Sequence, residues 1–301
     1  MRATPLPKCL LAAPFTVHEA RALGVRSSRL RRTDLDRPFR GVRSVPNPHT
    51  APSILDLCRA AQTVMDKDTF FSHTTAAVLY GLPIPRRHQR LSDLHVSVIA
   101  PRRAPKGAGV IGHKLKVERR TLRMSAGVRV PGPIEVWCEL AAMLSVDELV
   151  GAGDALVRRK HPLAEPSGLR RAVAEAGNRP GVERLRIALP QIRARTDSPM
   201  ETHLRLAIIR AGLPEPEVNA VILDEHGDFV AFGDLVFHAA GVVVEFDGDH
   251  HRSDADQYFA DIDRHWSIQR MGWHVVRINR SHLIGDAGGA VARVSTALTI
   301  G

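Results

Sequence analysis

Hydrophobic and polar positions change their spacing several times along this chain, and each change marks an element. In the first 50 residues Thr16 is placed to cap a helix through Ala22 that Gly24 ends. Ser27 or Ser28 caps a second helix through Asp34, and residues 38–45 read as a short hairpin. Further on, Ile54 to Met65 is helical in period, Ser72 opens a helix that Gly81 and Pro83 stop, and Leu94 to Val98 and Val110 to Val117 alternate as half-buried strands. Pro133 then starts a helix through Leu144, and residues 161–197 are Arg-rich with helical spacing. From Ser198 the pattern sharpens. Ser198-Pro199-Met200-Glu201 supplies an N-cap, a proline at the first helical position and a glutamate at the third, in a helix that Gly212 and Pro214 close. Three strands in hairpin succession follow at Val218 to Leu223, Phe229 to Phe237 and Val242 to Asp247. A helix from Ser253, with Phe259, Ile262 and Trp266 as its buried stripe, is released by Gly272 into a strand over Trp273 to Ile278. The order is αβββαβ.

Composition and charge narrow the field. With 301 residues, 44% apolar and 25% charged, the chain is long enough for about two globular domains and too apolar for disorder throughout. No run of 18 uncharged apolar residues occurs, and Cys9 to Val17 lacks a signal-peptide cleavage pattern. Cys9, Cys58 and Cys138 lie far apart, which excludes a disulfide framework or zinc ribbon and fits a reducing cytoplasm. The net charge of +10 is unevenly spread: residues 1–197 hold 34 Lys/Arg against 17 Asp/Glu, and residues 198–301 hold 8 against 15. A basic body suits a polyanion; an acidic one repels it unless cations bridge the two. Four segments result: a head over 1–50, a mixed segment over 51–160, a connector over 161–197 and the αβββαβ unit over 198–301.

The second hairpin holds the candidate chemistry. A turn centred between Ala239 and Ala240 sets Asp234 opposite Glu245, whereas a bulge at Gly241 shifts Asp234 to face Phe246. Two carboxylates opposite one another on a ladder, with Cβ atoms about 4.5–5.5 Å apart, repel and require compensation. Asp247 shares the face of Glu245, and Glu201 lies on the helical face of Leu204 and Ile208. Glu201, Asp234, Glu245 and Asp247 together form an oxygen-donor set for Mg²⁺ or Mn²⁺. Alternatively Glu201 closes a capping box and Asp247-Gly248 starts a turn.

Two resemblances add to this. Phe15-Thr16-Val17-His18-Glu19-Ala20-Arg21, Phe39-Arg40-Gly41-Val42, Ser72-His73-Thr74-Thr75-Ala76-Ala77 and Gly81-Leu82-Pro83 resemble AbiEi-like type IV antitoxins. That likeness implies a winged helix-turn-helix head with Arg29, Arg31 and Arg32 on its second helix and Arg40 and Arg43 on its ribbon as nucleic-acid contacts, followed by a mixed α+β middle domain. Glu245-Phe246-Asp247-Gly248-Asp249-His250-His251, Asp261-x-x-Arg264 and Gly272-Trp273-His274-Val275-Val276-Arg277 resemble the PD-(D/E)XK nucleases related to very-short-patch-repair endonucleases. This implies an α/β restriction-endonuclease-like fold with Asp234 and Glu245 as metal ligands and Glu201 and Asp247 around them. Asp247 stands where that family carries lysine, and no lysine follows Lys160. His250 or His251 then becomes the candidate general acid or base, and Arg264 and Arg277 the candidate grips on the scissile phosphate. A polar loop role for either histidine and a salt-bridge role for either arginine are the alternatives. Ser72-His73 reads as a helix cap followed by a packed imidazole.

The expected function is a cytoplasmic Mg²⁺-dependent DNA endonuclease of phage defence or DNA repair. The alternative is a DNA-binding regulator of the antitoxin type whose nuclease-like domain serves as a scaffold. Duplex DNA is the expected partner, with RNA, a toxin or other protein partner and a homodimer left open and no membrane involved.

Overall fold

A computed structural model describes residues 4–89, 93–116, 122–224, 226–247 and 266–300. The chain divides into two compact units, residues 1–143 and 144–301.

In the N-terminal unit a capping box fixes the first helix. The Thr16 side chain accepts from the Glu19 N–H, and Glu19 reaches back to the Thr16 N–H, opening α1 (Val17–Ala22). The next helix, α2 (Ser27–Leu30), is one turn rather than running to Asp34, because Arg29 binds the Asp34 carboxylate and the Thr4 carbonyl and holds the chain in a return loop. The expected hairpin over 38–45 is also replaced. Val42–Arg43 (β2) pairs with Phe15–Thr16 (β1), and Asp36 bridges Ser44. Pro38 has no N–H to offer a ladder, whereas pairing β2 with β1 buries Phe15 and Val42 together.

The rest of this unit contains α3 (Ile54–Gln62), β3 (Phe70–Phe71), α4 (His73–Leu79), β4 (Leu94–Ile99), β5 (Val110–Leu115), β6 (Leu122–Ser125), β7 (Val128–Pro131) and α5 (Pro133–Leu140). The order β3-β4-β5 makes a three-stranded sheet in which β4 and β5 run parallel, and β6 and β7 form a hairpin. Ser72 occupies the N-cap of α4, yet its side chain does not cap: the hydroxyl pairs with Ser97 Oγ at 2.6 Å. Glu139 of α5 accepts the His73 N–H instead, at 2.8 Å. Burial, aided by the neighbouring His113, pushes the His95 imidazole down to about 4.

The C-terminal unit begins with α6 (Val146–Leu156), α7 (Pro166–Ala174) and α8 (Val182–Ala188) ahead of α9 (Pro199–Arg210). It continues as β8 (Glu217–Leu223), β9 (Phe229–Phe237), β10 (Val242–Asp247), helical residues 266–270 (α10), β11 (His274–Asn279) and α11 (Gly288–Ile300). The sheet order is β11-β10-β9-β8, antiparallel except for the parallel β10/β11 pair. One face packs Leu235, Phe237, Val242, Val244, Val276 and Ile278 under α9 and α11. The other packs Ala220, Ile222, Ala231, Val236 and Val243 with Ile268. Trp266, expected in the buried stripe, is 57% exposed with Arg270 stacked on its ring, and Ile268 fills the inward position. Phe259 and Ile262 lie outside the described residues.

Residues 144–160 therefore belong with the C-terminal unit, and 161–197 are packed helices rather than a free connector. Asp154 of α6 is the reason. Its buried carboxylate accepts from the Arg193 N–H at 2.7 Å, Thr202 Oγ1 at 2.8 Å and Arg205 Nη2 at 2.8 Å. Asp154 and Arg205 are 1% and 0% exposed. Burial pushes the Asp154 carboxyl above its usual range against the downward pull of Arg205 and these hydrogen bonds. Asp154→Ala leaves the buried Arg205 guanidinium with only the partly exposed Glu215 carboxylate, 4.0 Å away, and it should destabilise this unit by about 3–5 kcal/mol in urea unfolding of the full chain. A loss under about 1 kcal/mol would mean that Arg205 is stabilised from elsewhere.

Candidate functional site

The β9/β10 turn decides the register. His238–Ala240 form a 3-10 turn, and Gly241 closes it at φ +60°, a conformation glycine adopts without penalty. The ladder pairs Phe237 with Val242, Val236 with Val243 and Leu235 with Val244. The next position in this register sets Asp234 opposite Glu245, as the turn centred between Ala239 and Ala240 predicts.

The ladder itself stops one residue short of the two acids. Phe246 N–H donates to Asp234 Oδ2 at 2.8 Å, so a carboxylate takes over where backbone pairing ends. On its other side β9 pairs Leu235 with Val218 and Gly233 with Ala220, skipping the position where Asp234 would meet Asn219. Asn219 has φ +45°. Inward faces change sides there: Val218 and Leu235 belong to the cluster under α9 and α11, whereas Ala220 and Ala231 belong to the opposite one. Gly233 sits against this break. A Cβ on it would come within 2.7 Å of Val236 Cγ2 and 2.8 Å of Val243 Cγ1, so any side chain would wedge the strands apart next to Asp234.

Asn219 links the break to the helix. Its Nδ2 donates to Glu201 Oε2 at 3.1 Å and to the Arg195 carbonyl at 2.9 Å. Glu201 also accepts the Asp197 N–H at 3.0 Å, so it does not close a capping box on Ser198, although the Ser198 side chain still caps the Glu201 N–H. Beyond Glu245, the parallel register places Arg277 alongside, and Arg277 Nη2 pairs with Asp247 Oδ2 at 3.0 Å. A polar row thus crosses an apolar sheet: Glu201, Asn219, Asp234, Glu245, Arg277. Glu201, Asn219 and Glu245 are buried, whereas Asp234 and Asp247 are partly exposed.

This row is narrower than the four-carboxylate shell expected from sequence. Among the described residues, the group of three or more His, Cys, Asp or Glu side chains whose ligand atoms lie within 4.8 Å of one another is His73, His95 and His113 of the N-terminal unit. No three of Glu201, Asp234, Glu245 and Asp247 converge to that degree. Glu201 is turned onto Asn219 and the Asp197 N–H, and Asp247 onto Arg277; Asp234 and Glu245 fall at the position just past the last ladder pair, Leu235–Val244. The Arg277–Asp247 pair is exposed and salt-screened, so a phosphate can displace it at little cost. His250, His251, Asp261, Asp263 and Arg264 lie outside the described residues.

Basic residues of the N-terminal unit concentrate elsewhere than the helix pair. A cleft of about 970 Å³ is lined by Arg37, Arg40, Arg43, Arg102, Arg103 and Lys106 against a single acid, Asp66. Arg40 and Arg43 were expected to contact nucleic acid; Arg102, Arg103 and Lys106, from the loop after β4, were not. Their signal in the sequence is the cation cluster in Pro101-Arg102-Arg103-Ala104-Pro105-Lys106. Of the five arginines of the head expected to contact nucleic acid, Arg43 donates to the Leu30 and Val42 carbonyls and Arg29 to Thr4 and Asp34, so both are structural. Arg31, Arg32 and Arg40 are exposed. Across the two units the charge divides as 24 Lys/Arg against 10 Asp/Glu, and 18 against 22.

No family model matches the chain. Two curated proteins of Mycobacterium tuberculosis are similar to it, the uncharacterized proteins MT2308 of strain CDC 1551 and Rv2248 of strain H37Rv. Each is 26% identical over 244 residues, covering 81% of this chain and 86% of the relative. That length exceeds either unit, so the likeness runs through both. No solved structure matches, and among the described residues no helix is long and apolar enough to cross a membrane.

Glu201 gives a direct test of the row. Burial, the dominant influence, raises its carboxyl above the ordinary 4.5. The folded state thus holds this proton more tightly than the unfolded chain. The stability it contributes is complete below about pH 4.5 and is lost as pH climbs through the raised value. Glu201→Gln keeps the acceptor oxygen without the charge and should flatten that fall in a pH series of denaturation curves. Glu201→Ala removes one of the two acceptors of the Asn219 amide and the acceptor of the Asp197 N–H and should cost about 1–3 kcal/mol.

Proposed function

We propose that the C-terminal unit is a metal-dependent nuclease domain of the restriction-endonuclease type, acting on DNA that the basic N-terminal unit holds. The observation that carries this reading is the hairpin register: continued one position past its last pair, Leu235–Val244, it aligns Asp234 with the buried Glu245 at a break in the sheet. Nothing in strand packing favours two acids there. The donor set fits a hard dication such as Mg²⁺ or Mn²⁺, which takes one or two carboxylates and keeps several waters.

Each residue of the row has its own task. Asp234 is held by the Phe246 N–H, which fixes the orientation of its carboxylate before any cation arrives. Glu245, 7% exposed, presents its charge in a dry setting where attraction to a cation is strong. Arg277 exchanges Asp247 for a phosphate oxygen and supplies the positive charge that lysine gives in related nucleases. A Mg²⁺ or Mn²⁺ ion bound there would polarise the phosphoryl group and lower the pKa of water. His250 or His251 is proposed to move the proton, and Arg264 to grip the phosphate.

A specific observation favours the second reading, a non-catalytic DNA-binding regulator: Glu201 and Asp247 are both engaged by protein partners. The two readings part in one assay. With plasmid and single-stranded DNA, the nuclease reading expects cleavage in Mg²⁺ or Mn²⁺, none in EDTA, and a loss on the order of 100-fold or more in Asp234→Asn and Glu245→Gln. DNA binding without cleavage under any metal, or cleavage indifferent to both substitutions, leaves the regulator.

The cleft makes a separate expectation. Affinity for duplex DNA should fall with salt on a log-log slope of about −0.9 per phosphate contacted, and Arg40→Ala or Arg103→Ala should each flatten that slope by about that amount. If Arg31→Ala and Arg32→Ala flatten it while Arg103→Ala does not, the helix pair is the grip and the cleft is not.

A further inference from the structure

The sequence reading gives His73, His95 and His113 no role beyond packing. The topology of the N-terminal unit brings all three together. His95 and His113 come from adjacent parallel strands, with His113 aligned to Ser97, two residues beyond His95. His73 opens α4 directly after β3, at φ +49°. A left-handed conformation at a non-glycine residue costs on the order of 1–3 kcal/mol and persists only where its surroundings enforce it. Here they do: the His73 N–H is held by Glu139 and the Ser72 N–H by the His95 carbonyl, while the His95 N–H donates to Thr75 Oγ1. These bonds hold the backbones of His73 and His95 to one another.

The rings converge. His73 stacks on His113 with centroids 3.8 Å apart, His95 Nδ1 lies 2.9 Å from His113 Nε2, and one ring nitrogen from each residue lies within 4.8 Å of the others. His73 and His95 are buried and His113 is half-buried. His73 Nδ1 is 3.0 Å from Ser72 Oγ and 3.7 Å from Glu139 Oε2, which leaves Nε2 as its ligand atom. A hydroxyl and a carboxylate behind an imidazole are the outer partners that orient a metal-ligating histidine and raise its basicity.

We propose that His73, His95 and His113 bind a divalent transition metal of the zinc class, with Glu139 and Ser72 positioning His73. Three imidazoles and no carboxylate in the inner set select Zn²⁺ and its neighbours over Mg²⁺. A tetrahedral ion with bonds of about 2.0–2.1 Å needs ligand nitrogens about 3.3 Å apart, closer than the 4.8 Å within which these nitrogens lie, so binding draws the rings together. Three protein ligands leave a fourth position for water or an incoming group, the arrangement of zinc sites that do chemistry rather than of closed structural sites.

The test uses the full chain with any affinity tag removed. Metal analysis after expression in zinc-supplemented medium should find about one zinc per chain, and Co²⁺ titration of the chelator-treated protein should give the visible absorption of a tetrahedral nitrogen site. His113→Gln changes the least buried member and should weaken Co²⁺ binding at least tenfold, and Glu139→Gln should weaken it about tenfold, whereas the exposed His49→Gln should leave it unchanged. Should the ligand variants fail to fold, X-ray absorption of the zinc-loaded wild type still decides, since it should show three imidazole nitrogens at about 2.0 Å. A folded wild type that takes up neither Zn²⁺ nor Co²⁺ at about 100 µM, a zinc shell without three imidazoles, or uptake indifferent to His113→Gln overturns the proposal.

Discussion

Charge inside an apolar sheet is the constraint that organises the C-terminal unit. A carboxylate withdrawn from water is tolerated only when hydrogen bonds, an opposite charge or a cation replace its solvent. The sheet meets this demand by gathering its acids in one row and breaking its own ladder there. Asn219 turns out of regular conformation to serve Glu201, and Asp234 substitutes for a backbone acceptor at Phe246. Apolar residues on either side of the row then pack on opposite faces, so two clusters share four strands. The presence of this row is what a purely structural account must explain.

Much of this unit was legible from spacing. The limits of β9 and β10 follow from their apolar runs, whereas the turn allowed two registers, one centred between Ala239 and Ala240 and one with a bulge at Gly241, and the ladder has the first. The break at Asn219 was not legible, since it depends on a helix 18 residues earlier and a strand 15 residues later. For the same reason Glu201, which has the spacing of a capping box, turns instead to Asn219. The C-terminal helix α11 was missed because Gly288, Gly289 and its small residues carry a weak periodic signal, although Ala290, Val294 and Ala297 pack into the core. The Asp154–Arg205 pair is 51 residues apart, and no local pattern joins them.

In the N-terminal unit the sequence marked where the cations are and misjudged which ones are available. Arg29 and Arg43 lie on the expected elements yet satisfy carbonyls and a carboxylate within the fold. The loop after β4 supplies cations to the cleft that a helix-turn-helix reading overlooks. Guanidinium groups with internal partners position the backbone, and at the cleft wall these include Arg37, Arg43 and Arg102, the last paired with Asp68. The division of 24 cations against 10 anions in one unit and 18 against 22 in the other has the same logic, because the acidic unit approaches a polyanion only with cations in between.

Ligand chemistry keeps the two units apart in a further sense. The acidic row offers oxygens alone, and the histidine trio offers nitrogens alone. Where affinity for a mixed donor set follows the general order of the transition metals, zinc would invade a site meant for magnesium; a pure carboxylate site that leaves room for several waters lessens that advantage, and three imidazoles hold magnesium poorly. Two cations can then occupy one chain without exchange of places. The consequences also differ: a dication at the row would act on the phosphate it neutralises, whereas one at the trio would tie α4 to β4 and β5 and so join the helix that follows β3 to the strands beside the basic loop. On the proposed readings, metal at the histidines would stiffen the strands beside the basic loop, and metal at the acids would act on phosphate.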